Sequence, residues 1–161
     1  MNYTIERAKL GDEYTLANIQ INSWKAAYKN ILSEEILLKC TQLDKVVTMY
    51  KNILNDNLYN GYIMKVNGTA HCIAFWKELD DKCADILCIH SLPDKWRNGY
   101  GRIMMNKILE DIKLSRNNKV ILWVFKDNIS AIKFYESIGF KTNNIIKQNI
   151  IPIEILYEIN L

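Results

Sequence analysis

The sequence predicts an α/β domain built on a mixed sheet of about seven mostly antiparallel strands, with helices on both faces. Three observations carry that expectation. Hydrophobic periodicity switches repeatedly between two and about 3.6, in the order β-α-α-α-β-β-β-α-β-α-β-β. The 161 residues suffice for one domain with a sizeable core. Only 6 Gly and 2 Pro punctuate the chain, so no linker or low-complexity segment divides it, and residues 1–161 read as a single domain.

The elements follow in order. Tyr3, Ile5 and Arg7 alternate with polar neighbours, which predicts a strand over residues 2–8. Gly11 and Asp12 open a helix, with Asp12 as N-cap and Leu16, Ile19, Trp24, Ala27 and Tyr28 as its apolar positions. Ser33 starts a second helix, whose first turn carries Glu34 and Glu35 as the helix dipole favours. Val46, Val47, Tyr50, Ile53 and Leu54 mark a third over residues 43–54. Period two then takes over. Residues 61–66 and 70–79 form a hairpin across Asn67-Gly68, a type I′ turn signal, and residues 83–91 add a third strand after Asp80-Asp81.

Past Pro93, a long amphipathic helix starts near Gly99, with Met104, Ile108 and Ile112 on one stripe and Met105 and Leu109 beside it. Residues 119–125 are apolar between charges, which predicts a central strand covered on both faces. Asn128 caps a short helix that ends at Gly139. The tail, residues 140–161, reads as two antiparallel strands around Pro152. Its Ile145, Ile146, Ile150 and Ile151 suggest an edge that could pair across a homodimer, so monomer and homodimer both stay open.

Composition excludes several functions. A net charge of +3 with no basic run argues against a nucleic-acid partner. No apolar run is long enough to span a bilayer, and the first residues carry no secretion signal, so the expectation is a cytoplasmic protein with no membrane partner. The four cysteines, Cys40, Cys72, Cys83 and Cys88, contain no CxxC pair and read as reduced thiols. With His71 and His90 they match no zinc spacing, so no metal is expected.

The informative segment runs from Asp85 through Ile89, His90 and Ser91 into Trp96-Arg97-Asn98-Gly99-Tyr100-Gly101-Arg102. A strand enters a tight loop that becomes a helix N-terminus, where unpaired N–H groups and the positive dipole end suit a phosphate. Gly99 and Gly101 let the backbone approach closely, and Arg97 and Arg102 add positive charge. Gly-x-Gly before a helix is a weak signal alone. A dinucleotide fingerprint would need a third Gly where Met104 stands, and a phosphate-loop Gly-Lys-Ser/Thr is absent.

The segment Trp96-Arg97-Asn98-Gly99-Tyr100-Gly101 resembles motif A of the GNAT superfamily of acyl-CoA-dependent N-acetyltransferases, whose pattern is Gln/Arg-x-x-Gly-x-Gly/Ala. Trp96 stands where that family has Gln or Arg, with Arg97 one place on. Residues 122–140 are similar to motif B: Asn128, then Ala131, Phe134-Tyr135 and the closing Gly139-Phe140. Residues 23–28 resemble a segment common in one bacterial branch, and the element order matches over essentially the whole chain.

The resemblance implies a GNAT-like fold, acetyl-CoA as co-substrate, and transfer to a primary amine by direct attack in a ternary complex. A small-molecule or peptide amine is the implied acceptor. Ile89, His90, Ser91, Arg97, Asn98, Gly99, Tyr100, Gly101, Arg102, Asn128 and Tyr135 are the implied cofactor contacts. The oxyanion donor it implies is a backbone N–H near Ile89. Tyr135 matches the family's general acid, and Asp85 aligns with an acidic residue that serves some members as base. Trp24 and Tyr28 fall on the helix that covers the acceptor cleft.

An alkylamine of pKa near 10.4 costs about 4 kcal/mol to deprotonate at pH 7.4, so a base or water chain is needed. His90 is the other candidate, and strand alternation would place Asp85, Leu87, Ile89 and Ser91 on one face and Cys88 and His90 on the other. A polycationic acceptor would call for an acidic cleft, for which Glu34, Glu35, Glu78, Asp80 and Asp81 are the available residues. The alternative to an enzyme is a non-catalytic acyl-CoA-binding regulatory module.

Overall fold

A computed structural model describes residues 2–147 and 152–161. Seven strands form one sheet in the order β1-β2-β3-β4-β5-β7-β6: β1 (Tyr3–Arg7), β2 (Tyr59–Val66), β3 (Thr69–Glu78), β4 (Cys83–Ser91), β5 (Lys119–Phe125), β6 (Lys141–Ile146) and β7 (Glu154–Asn160). Every neighbouring pair is antiparallel except β4 and β5. The helices are α1 (Glu13–Tyr28), α2 (Glu34–Cys40), α3 (Leu43–Asn55), α4 (Tyr100–Leu114) and α5 (Ile129–Ile138).

Two apolar clusters sit on opposite faces of the sheet. On one, Met104, Met105, Ile108 and Ile112 of α4 press against Met64, Cys72, Ala74, Trp76, Ala84, Ile86, Val120 and Leu122. On the other, Leu16, Ala17 and Ile19 of α1 and Val46 and Tyr50 of α3 cover Ile63, Ile73 and Phe75. The stripes of α3 and α4 are those the periodicity predicts, whereas α1 buries Ala17 and Ile21 beside the expected Leu16 and Ile19 and turns Trp24, Ala27 and Tyr28 to the cavity. Burial of such side chains contributes about 1.5–3 kcal/mol each and decides which face each helix turns inward.

Local signals behave as their chemistry requires, with informative departures. Asn67 and Gly68 both have positive φ, 51° and 81°, as a type I′ turn needs. Ser33 Oγ accepts the Ile36 N–H at 3.3 Å and caps α2. Asp12 occupies the N-cap position of α1 without capping it: its carboxylate accepts the Lys9 N–H at 2.9 Å instead. β2 starts two residues earlier than the expected 61, which places Gly61 inside the strand, where a Cβ would overlap the Phe75 ring. β5 is not covered on both faces. Val120, Leu122 and Val124 are buried towards α4, while Ile121, Trp123 and Phe125 stay half-exposed on the other side.

Two of the three register breaks among the described strands reshape the sheet beside the cavity. The β3–β4 register steps from Trp76↔Ile86 to Phe75↔Cys88, leaving Leu87 as an extra residue. Ala84 and Ile86 therefore face α4, and after the bulge so does Ile89, while Cys88 packs against the α1 and α3 cluster. Simple alternation across β4 is thus overturned: Asp85 and His90 share the α1 face. The second bulge, in β3, steps from Met64↔Cys72 to Lys65↔Ala70 and leaves His71 without a partner across β2.

The tail folds as β6 and β7, with β7 inserted between β5 and the edge strand β6. Ile145 and Ile146 are exposed there, and Ile150 and Ile151 lie outside the described residues. Among the described residues, no helix is long and apolar enough to cross a membrane, and no group of three or more His, Cys, Asp or Glu is placed to hold a metal ion.

Candidate active site

The parallel pairing of β4 and β5 covers only Cys83–Ile86 against Lys119–Leu122. It stops where the Leu87 bulge begins, and the two strands part. The gap is a cavity of about 990 Å³ between α1, α5 and the N-terminus of α4. From Leu87 to Ser91 the edge of β4 faces no strand, which leaves backbone polar groups for a ligand to pair.

The α4 end is built to accept an anion. Pro93–Lys95 form a 3-10 turn, and the Trp96 indole N–H donates to Ser91 O at 2.8 Å, tying the strand exit to the loop. That bond gives Trp96 a structural reason to replace a Gln or Arg. Arg97 and Gly99 both take left-handed φ, 65° and 85°. For Arg97 this costs on the order of 1 kcal/mol, and alternating handedness curls successive N–H groups into a concave nest. A Cβ on Gly99 would meet nothing within 4 Å, so the space beyond the helix end is open. The lining cations Lys95, Arg97, Arg102 and Lys133 come from this loop, α4 and α5. Arg102 also donates to Ser137 Oγ at 2.7 Å and so ties α4 to α5.

The other end is aromatic. Tyr28 meets Trp24 and Phe125 edge-on, each with centroids 5.0 Å apart, and Trp24 lies 6.4 Å from the His90 ring. Glu154, at the start of β7, is the one carboxylate among the described lining residues, and it is paired with Lys147, which also lies over the Trp123 ring. None of Glu34, Glu35, Glu78, Asp80 and Asp81 lines the cavity, so the acidic cleft those residues would have made is not formed.

Tyr135, on α5, stands against Phe134 and Phe140 with centroids 5.3 and 5.9 Å away. Burial first, then the nearby Tyr28 and Cys88, push its phenol well above the ordinary tyrosine value, so it stays protonated at neutral pH. Burial likewise lifts Tyr28 to about 12, against a smaller opposing pull from Asn128. The Cys72 and Cys88 thiols rise to about 12 by burial, which leaves them protonated and unreactive. Burial lowers His90 to about 4, so its ring is neutral at pH 7. Burial raises the Asp85 carboxyl, against weaker pulls from Lys77 and Lys147.

Twelve of the fourteen residues singled out by sequence line this one cavity: Trp24, Tyr28, Ile89, His90, Ser91, Arg97, Gly99, Tyr100, Gly101, Arg102, Asn128 and Tyr135. Asn98 and Asp85 do not. Asn98 turns back to donate to Lys95 O at 3.2 Å, and Asp85 lies where β4 is still paired with β5. Asn128 also caps α5, accepting the Ala131 N–H at 3.2 Å. His71, Trp123, Phe125, Lys133 and Glu154 line the cavity without having been singled out. The alternate half-exposure along β5 would have pointed to Trp123 and Phe125, but an all-apolar run hides it.

Residues 27–140 match the profile of the Acetyltransferase (GNAT) family. The chain belongs to that family. It is 30% identical over 93 residues to an uncharacterized N-acetyltransferase of Methanocaldococcus jannaschii, a match covering 53% of this chain and 41% of that protein. The fold is similar to PaiA N-acetyltransferase from Thermoplasma acidophilum, solved in complex with coenzyme A (TM-score 0.84, 18% identity, all of both chains). It is also similar to the ribosomal-protein-S18-alanine N-acetyltransferase from Escherichia coli (TM-score 0.72, 22% identity, 99% of this chain and 94% of that one). Spermidine N-acetyltransferase SpeG from Vibrio cholerae shares the fold as well (TM-score 0.74, 18% identity, 98% and 93%).

Proposed function

We propose that the chain is one acetyl-CoA-dependent N-acetyltransferase domain, acting on a primary amine by direct transfer in a ternary complex. The observation that carries this reading is the cavity opened by the parting of β4 and β5, with an anion-accepting helix end, a protonated phenol and an aromatic mouth along its length. When bound, acetyl-CoA supplies an activated thioester, so no enzyme nucleophile is required.

The residues present fit such a ligand. The turn around Gly99 and the N-terminus of α4 receive a diphosphate through backbone N–H groups, with Arg97 and Lys95 adding charge. The unpaired edge of β4 around Ile89 pairs an amide-bearing arm and stabilises developing negative charge on a carbonyl oxygen. Tyr135 donates its phenolic proton to the departing thiolate. Trp24, Tyr28 and Phe125 hold the acceptor's carbon skeleton, and Glu154 offers a carboxylate to its ammonium.

Of the two candidate bases, His90 borders the cavity and Asp85 does not. With its pKa near 4, the His90 ring holds a proton only transiently, so its role is to relay the acceptor's proton outward rather than store it. Asp85, on the same face, is not placed to touch the acceptor.

The test is release of free CoA thiol from acetyl-CoA across a panel of protein N-termini, lysine peptides, polyamines, amino acids and aminoglycosides, with acetyl-CoA binding followed by calorimetry. Binding with amine-dependent release is expected. Binding with no release from any amine would favour a regulatory acyl-CoA-binding module. No binding would overturn the reading.

A further inference from the structure

His71 is a buried polar residue lining the cavity to which the proposed reaction gives no role. It has no accessible surface, and neither ring nitrogen has a hydrogen-bond partner among the described residues. A neutral imidazole carries one N–H donor and one lone pair, and burying both unpaired is unfavourable. An apolar side chain would pack there without that penalty.

The β3 bulge decides where the ring goes. Ala70 packs against the α1 and α3 cluster and Cys72 against the α4 cluster, with His71 inserted between them. The extra residue turns its ring to the α4 side, where it meets the Tyr100 ring edge-on at 5.3 Å. Tyr100 is the first residue of α4 and adjoins Gly99. The His71 carbonyl accepts the Leu92 N–H at 3.0 Å, which fixes it under the exit of β4. His71 is among the residues lining the cavity, with Lys95, Gly99 and Tyr100. An unpaired, fully buried polar side chain therefore lies against the first residue of α4, at the basic end of the cavity.

We propose that His71 is a ligand-binding residue whose imidazole N–H bonds the phosphate-bearing part of CoA from beneath the α4 N-terminus. The inference rests on the acetyl-CoA reading above. Asp94 and Lys95 of the 3-10 turn are the charged groups near the ring. Burial first, then Lys95, hold its pKa below the ordinary histidine value against the opposite pull of Asp94, so the free protein presents a neutral ring. A neutral ring still offers one N–H to an anion.

Two readouts test this. CoA is titrated by calorimetry into the wild type, His71→Phe and His71→Gln. The imidazole nitrogens of the unmutated protein are followed by ¹⁵N-resolved NMR before and after CoA addition. His71→Phe should bind CoA about tenfold more weakly, as loss of one hydrogen bond to a charged group implies, and His71→Gln, which keeps an N–H donor, should recover part of it. A His71 nitrogen should shift when CoA is added. Failure of either readout overturns the proposal: unchanged affinity in His71→Phe, or unmoved nitrogens, would mean that the ring is satisfied by buried water alone. If His71→Phe does not fold, the nitrogen shift decides by itself. If the wild type binds no CoA, the acetyl-CoA reading itself has failed, a result separate from tight wild-type binding that His71 does not affect.

Discussion

Replacing Tyr135 with Phe should lower kcat about a hundredfold and leave the CoA dissociation constant nearly unchanged. The substitution removes one oxygen and little else. The ring keeps its contacts with Phe134 and Phe140, which anchor it on α5 beside the cavity. Burial and the neighbouring Tyr28 and Cys88 make the phenolate unfavourable, so the wild-type group is a proton donor throughout the neutral range. A donor aimed at a departing thiolate acts mainly in the transition state, so its loss appears in kcat rather than in ground-state binding. Steady-state kinetics on the preferred amine, with calorimetry for CoA, separates the two. An unchanged kcat would remove Tyr135 from the acid role and leave it as packing between two aromatic rings.

Acidification is the second large effect. His90 titrates near 4 when folded and near 6.5 when unfolded, because burial disfavours the charged ring. The unfolded chain therefore binds more protons below pH 6.5. The stability that the neutral ring confers is complete above about 6.5, falls as pH drops, and is lost once pH passes about 4. At about 1.4 kcal/mol per pH unit, the full span amounts to roughly 3 kcal/mol. His71 adds a change of the same sign, since its pKa is also lowered. Urea unfolding from pH 7 to 4.5 should show a progressive fall in the midpoint, and His90→Gln should flatten much of it. The same variant should lose activity at pH 7.5, because it cannot relay a proton. A His90→Gln protein with the wild-type pH profile of stability would show that the His90 ring is not the group that titrates in this range.

The elements are legible where periodicity is unbroken and the punctuation is chemical. The α4 stripe of Met104, Ile108 and Ile112 announces both a helix and its buried side. Asn67-Gly68 announces a hairpin, and Gly99 a helix start with open space in front of it. The α4 end of the cavity is legible for the same reason: its N–H groups depend on backbone geometry, which glycines mark. The aromatic end is less so. Its placement depends on where β4 and β5 part and on which way β4 side chains turn after Leu87. A bulge is one extra residue with no composition of its own, so alternation puts Asp85 and His90 on opposite faces when they share one. The His71 bulge is hidden in the same way inside a run that reads as ordinary strand. Glu154 follows Pro152 in the tail, and its arrival at the cavity depends on β7 pairing with β5 along its full length, a contact distant in sequence.

If the gap between β4 and β5 holds acyl-CoA lengthwise, its diphosphate lies at the α4 N-terminus. A crystal structure of this protein grown with CoA tests it most directly. Diphosphate oxygens are expected within hydrogen-bond distance of backbone N–H groups between Arg97 and Arg102, the pantetheine arm along Leu87–Ser91, and the sulfur within reach of the Tyr135 hydroxyl. CoA bound elsewhere on the surface, or bound in this cavity with its sulfur remote from Tyr135, would contradict it.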